Sequence, residues 1–165
     1  MKGRILQKAS SLLLAIIMVL TMIPAVSAQA DEAQVGKIII EGDNPVPGET
    51  VTVQVRLENN PGIASMRIEL IYDNAVFKLT GLSYNSEMGG ETNPPADLSG
   101  YQSPFVLYWN NGGLSTDYTE DGVFATLTFQ VSEEAQKGRS YTITAVYDPD
   151  EIFNGQDENV TFDIP

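Results

Sequence analysis

With 165 residues, nine basic and 22 acidic side chains, no histidine and no cysteine, the chain carries a formal charge of −13. The missing imidazole and thiol exclude a Ser-His-Asp triad, a cysteine nucleophile, a histidine-bearing zinc site and an imidazole general base. Phosphate binding needs clustered Lys and Arg, so neither nucleic acid nor an anionic membrane is an expected partner.

Lys2, Arg4 and Lys8 make a positive start, residues 12–23 are apolar up to Pro24, and Val26, Ala28 and Ala30 are small. This predicts an export signal over residues 1–30, removed by a cut after Ala28 or Ala30. The apolar run falls short of the roughly 20 residues of a spanning helix, so no membrane insertion is expected. The protein is therefore expected to be secreted, extracellular or attached to the cell surface. Setting aside the three bases of the signal leaves six basic against 22 acidic side chains, a net charge near −16. Such a surplus serves solubility; the other reading is a preference for a partner with a basic patch. Residues 31–165 suffice for one domain with one core.

From there on, short runs of period two alternate with turn residues, which predicts an all-β sandwich. A first short strand falls at 37–40, and Pro45, Pro47 and Gly48 mark the turn after it. Val51, Val53, Val55 and Leu57 alternate with Thr52, Gln54, Arg56 and Glu58, so the two sets lie on opposite faces of a strand. After Asn59-Asn60-Pro61-Gly62, Met66, Ile68, Leu70 and Tyr72 alternate with Ser65, Arg67, Glu69 and Ile71. A shorter strand follows at 76–82, and residues 87–103 form the longest irregular stretch. Beyond Asp121-Gly122, Val123, Ala125, Leu127, Phe129 and Val131 alternate with Phe124, Thr126, Thr128 and Gln130. A helical turn is expected near 132–136. Tyr141, Ile143, Ala145 and Tyr147 alternate with Thr142, Thr144 and Val146, and a last strand is expected at 160–164. No helix of ten or more residues intervenes, which excludes a parallel α/β sheet.

Residues 105–109 break the pattern, because Phe105-Val106-Leu107-Tyr108-Trp109 is apolar on both faces. Two readings stay open. The strand is central and covered by the 87–103 loop, or Phe105, Leu107 and Trp109 form an exposed apolar strip offered to a partner.

Other chemistries fare worse. Asp148-Pro149-Asp150-Glu151 with Asn154, Gly155 and Asp157 has the composition of a calcium loop. Counted from Asp148, however, Ile152 and Phe153 occupy the fifth position and the glycine position, and the match fails. No metal and no cofactor is expected. Among 22 acids some pair will stand at glycosidase spacing by chance, and a domain this small leaves little room for a cleft, so no enzyme is expected. The alternative function is a carbohydrate-binding module of jelly-roll fold, with Trp109 and Tyr84, Tyr101, Tyr108 or Tyr118 as its aromatic platform.

Four segments carry a family resemblance. Gly62-Ile63-Ala64, with the strand ending Tyr72-Asp73 and then Phe77-Lys78-Leu79, resembles the third and fourth strands of a cohesin domain. Asp121-Gly122-Val123-Phe124-Ala125 is similar to that family's best-preserved segment. Val46-Pro47-Gly48 is similar to the approach to its second strand, and Val160-Thr161-Phe162 to its last strand. They stand in the family's order and span nearly all of residues 35–164. The resemblance implies a nine-stranded jelly-roll β-sandwich without catalytic activity. Its implied partner is a dockerin-bearing protein, either an enzyme or a scaffoldin, with calcium carried by the dockerin. Such pairs build cellulosome-like, polysaccharide-degrading complexes. In the family the dockerin sits on strands three, five, six and eight, which implies contacts from Ser65, Arg67 and Glu69 on strand three. On strand six it implies Leu107, Trp109 and Asn110, with Phe105 added from the apolar strip. The sequence departs from the family at Asn74, where cohesins have proline, and at Pro165, where they continue. Either the last strand is short or the sequence is a piece of a longer one.

Overall fold

A computed structural model describes residues 35–165 apart from 96, 99, 114 and 115. The export signal expected over residues 1–30 lies outside the described residues. The strands are β1 (Gly36–Gly42), β2 (Thr50–Glu58), β3 (Ser65–Ile71), β4 (Phe77–Tyr84), β5 (Glu91–Thr92), β6 (Phe105–Asn110), β7 (Gly122–Val131), β8 (Thr144–Val146), β9 (Ile152–Phe153) and β10 (Phe162–Asp163). Two single 3-10 turns, Ser86–Met88 and Pro149–Glu151, interrupt them.

The strands form two sheets. One runs β10-β1-β2-β7-β4; the other runs β5-β6-β3-β8, with β9 also on β3. Pairing is antiparallel except between β1 and β10. Because β6 takes one edge of β3 along Ser65–Leu70, β8 and β9 share the other edge. The described residues thus hold ten strands, or nine if β8 and β9 are counted as one interrupted strand, against the nine that the family resemblance implies.

Period-two burial explains the sandwich. Val51, Val53, Val55 and Leu57 of β2 point inward, as do Met66, Ile68 and Leu70 of β3. Leu127 and Phe129 of β7 meet them in one core. Each such side chain, fully buried, stabilises the fold by about 1.5–3 kcal/mol. Two polar ties close the ends. Tyr147 Oη donates to the Phe162 carbonyl and accepts from its N–H, both at 2.8 Å, fixing the two-residue β10. Asn60 Nδ2 donates to the Tyr118 and Glu120 carbonyls at 2.9 and 3.3 Å, anchoring the turn before β3 to the approach to β7.

Four expectations need correction. Phe124 does not face outward: the β2–β7 register shifts between Val55 and Arg56, a bulge that turns Phe124 fully into the core beside Ala125. The strand expected at 141–147 pairs only over Thr144–Val146, although its alternation of burial persists. The last strand is likewise reduced to Phe162–Asp163. Near 132–136 there is a single reverse turn, closed by Ala135 N–H on the Ser132 carbonyl at 3.1 Å, and no helix.

A candidate docking face on the second sheet

The register of β3 against β6 decides which side chains share a face. Arg67 stands opposite Tyr108 and Glu69 opposite Val106, while Leu70, Ile68 and Met66 stand opposite Phe105, Leu107 and Trp109. The second set is the core. Phe105, Leu107 and Trp109 are 2%, 0% and 1% exposed, so of the two readings the exposed apolar strip fails, and these side chains of the strand between β5 and β3 are covered. A strand apolar on both faces hides the larger side chains inward and leaves Val106 and Tyr108 half-buried on the outside. Ser65 is also buried, paired to both Asn110 and Phe153, with its hydroxyl 3.5 Å from the Trp109 carbonyl.

Of the seven residues assigned from the sequence, Arg67, Glu69 and Asn110 reach the outer face. Parity held the clue to this split: Trp109 and Asn110 are adjacent, so a strand cannot present both to one partner. Val106 and Tyr108 were missed for the same reason, and Glu151 because it lies in an irregular segment.

The outer face is built in rows. Val106, Glu69 and Val146 lie across β6, β3 and β8, and Tyr108 and Arg67 form the next row. Ile71 and Val146 are 43% and 41% exposed, the most open large aliphatic side chains of this sheet. Tyr108 Oη accepts from Asn110 Nδ2 at 2.8 Å, and Asn110 Oδ1 in turn accepts from Gly112 N–H at 2.8 Å, so the phenol is held in place. The Tyr108 N–H, unpaired beyond the two residues of β5, donates to Tyr84 Oη at 3.2 Å. Burial pushes the Tyr84 phenol above its ordinary range, partly offset by that hydrogen bond.

Charge on the face is concentrated on Arg67. Its Nη1 donates to Glu151 Oε2 at 2.5 Å and its Nη2 to Glu69 Oε1 at 2.9 Å. The hydrogen bond to Glu151 is the main cause that raises its pKa above the ordinary guanidinium value. A further constraint lies beneath the sheet end. Trp109 Nε1 donates to the Gly89 carbonyl at 2.8 Å, tying the Ser86–Met88 turn over the buried indole. The chain passes so close that a Cβ on Gly90, at φ 71°, would stand 2.2 Å from the Asn110 carbonyl oxygen.

Among the described residues no group of three or more acids is placed to hold a metal, and Asp148 instead caps the Pro149–Glu151 turn through the Asp150 N–H. No helix among them is long and apolar enough to cross a membrane. With the sole tryptophan in the core, the aromatic platform of the carbohydrate-binding alternative loses its centre.

The comparisons with known proteins say which family of two-sheet jelly rolls this chain joins. The cohesin domain model matches residues 36–159. The chain belongs to the cohesin family. It is 30% identical over 119 residues to cellulosomal-scaffolding protein B of Acetivibrio thermocellus, covering 67% of this chain. The match spans only 15% of that relative's length. The fold is similar to the sixth cohesin of scaffoldin B from Acetivibrio cellulolyticus, solved in complex with a dockerin. The TM-score there is 0.63 at 21% identity, over 79% of this chain and 94% of that one. It is also similar to a non-cellulosomal cohesin of the archaeon Archaeoglobus fulgidus, with TM-score 0.57 at 16% identity, over 79% and 86% of the two chains.

Proposed function

We propose that the outer face of the β5-β6-β3-β8 sheet docks the dockerin module of another exported protein, an enzyme or a scaffoldin. Docking would help assemble an extracellular polysaccharide-degrading complex. The observation that carries the reading is the face itself. Val106, Val146 and Ile71 supply apolar area around Glu69 toward one end of the face, and Tyr108, Arg67 and Asn110 supply polar groups toward the other, on a domain of the cohesin family. The scaffoldin relative and the cohesin–dockerin complexes among its structural neighbours support it.

The mechanism is equilibrium binding with no bond made or broken. The apolar side chains exclude water, and the polar groups beside them set register and partner choice. Tyr108 is of a type that often carries binding energy, and its phenol is already fixed by Asn110, so little freedom is lost on docking. The domain works outside the cell, secreted or held at the surface. The calcium belongs to the dockerin.

Calorimetric titration of residues 31–165 with a panel of dockerins, with calcium and then with chelator, tests this. Tight binding to at least one dockerin, abolished by chelator, is expected. Silence across a diverse panel, together with retention on an insoluble polysaccharide, would overturn it in favour of a carbohydrate-binding module.

A further inference from the structure

The fourth strand of the docking sheet is broken in the middle of the face. With Glu69 opposite Val146, unbroken pairing would set Met66 opposite residue 149; it stands opposite Ile152 instead. Three extra residues are therefore looped out between β8 and β9, and they fold into the Pro149–Glu151 turn, with Asp148 as its cap. The turn is closed locally by Glu151 N–H on the Asp148 carbonyl and Asp150 N–H on Asp148 Oδ1, and on its far side Asp150 Oδ1 accepts from Asn159 Nδ2 at 2.7 Å in an exposed bond. Beside it the surface opens into a dent lined by Arg67, Glu69, Val146, Tyr147, Asp148 and Glu151.

One side chain bridges from β3 to this turn. Arg67 has no cross-strand partner on the β8–β9 edge, and its guanidinium takes Glu151 with one nitrogen and Glu69 with the other. The planar guanidinium holds two carboxylates in fixed directions through its fork, which the compact, rotatable ammonium of a lysine does not. Both acids and the arginine remain about one-third exposed. A cation engaged twice within its own domain is poorly placed to meet a partner's carboxylate.

We infer that Arg67 is a positioning residue: through Glu151 it holds the 148–151 turn as the fixed rim of the docking face, and so sets which dockerins fit. This rests on the docking reading above. Loss of the clamp removes the turn's side-chain tie to β3 and leaves only its local bonds and the exposed Asn159–Asp150 bond, so the partner must then order the rim on binding.

The test is a double-mutant cycle on the domain, read by calorimetry with the tightest-binding dockerin of the panel. Arg67→Gln and Glu151→Gln are each expected to weaken binding about tenfold, the order that coupled neighbours give. The double variant should be no weaker than either single one. The exchanged pair, Arg67→Glu with Glu151→Arg, should recover most of the affinity. Losses that multiply in the double variant, or wild-type affinity in Glu151→Gln, would overturn the clamp and make Arg67 a direct contact. Backbone 15N relaxation on the free domain supplies a reading that needs no partner. Order parameters at Asp148, Asp150 and Glu151 should fall from rigid values to below about 0.6 in Arg67→Gln; unchanged values would refute the clamp. If the wild-type domain binds no dockerin, the docking reading fails while relaxation still decides the role of Arg67.

Discussion

Replacing Trp109 by alanine separates the core from the face. The indole is 1% exposed, stands opposite Met66 across the β3–β6 pair, and meets the Tyr118 ring at 6.1 Å between centroids. Truncating a buried tryptophan costs about 3–5 kcal/mol. The lost hydrogen bond to the Gly89 carbonyl adds about 1 kcal/mol. A domain of about 130 residues has roughly 7–20 kcal/mol in total and loses about 4 °C of Tm per kcal/mol. Trp109→Ala should therefore lower the Tm by about 16–24 °C in a calorimetric scan. Tyr108→Ala, one position away on the outer face, should lower it by less than about 5 °C. Its dockerin affinity should nevertheless fall tenfold or more, as truncation of a well-packed interface tyrosine does. If Trp109→Ala melts like the parent while losing its partner, the indole is a contact residue and the β3–β6 register is wrong.

Further outcomes follow from the same packing. Tyr72 Oη is buried without a hydrogen-bond partner among the described residues, its ring edge-on to Phe129 at 5.0 Å. Tyr72→Phe should then raise stability by about 1 kcal/mol in urea denaturation, since an unsatisfied buried hydroxyl costs about 1–3 kcal/mol; a loss would show that the hydroxyl is satisfied. Burial also raises the phenol pKa of Tyr72, Tyr84 and Tyr118 above 10.0. Above that pH the unfolded chain has released protons that the folded state still holds. Stability is therefore full below pH 10.0 and falls as pH climbs through the raised folded values. Tyr72→Phe should flatten that decline, measured by urea midpoints from about pH 8 to 11. Gly90→Ala should cost more than about 1–3 kcal/mol, because a left-handed φ and a collision with the Asn110 carbonyl act together. A Tm within about 2 °C of wild type would contradict it.

Much of the fold could be read from alternation, because each sheet has one buried face. The inward sets of β2 and β3 were plain on that ground. The misreadings fall where alternation is cut by something non-local. Phe124 enters the core through a bulge set by the partner strand, which no property of residues 123–131 announces. In β6 every position but the last is apolar, so only the register against β3 says which face is buried, and Phe105, Leu107 and Trp109 were assigned to the wrong one. Arg67 and Glu69 do face outward, as the clean alternation of their strand predicts. The role of Glu151 could not be foreseen, since it depends on three residues looped out of a strand whose partner lies some 80 positions earlier in the chain.

The central claim is that one sheet face binds the partner. Amide chemical-shift mapping of the 15N-labelled domain, titrated with a calcium-loaded dockerin, addresses it most directly. Perturbations should gather on Arg67–Ile71, Val106–Asn110 and the 148–151 turn, leaving the outward residues of the opposite sheet (Thr52, Gln54, Thr126 and Thr128) where they were. Shifts concentrated on that opposite sheet, with the β3–β6 face silent, would contradict the account.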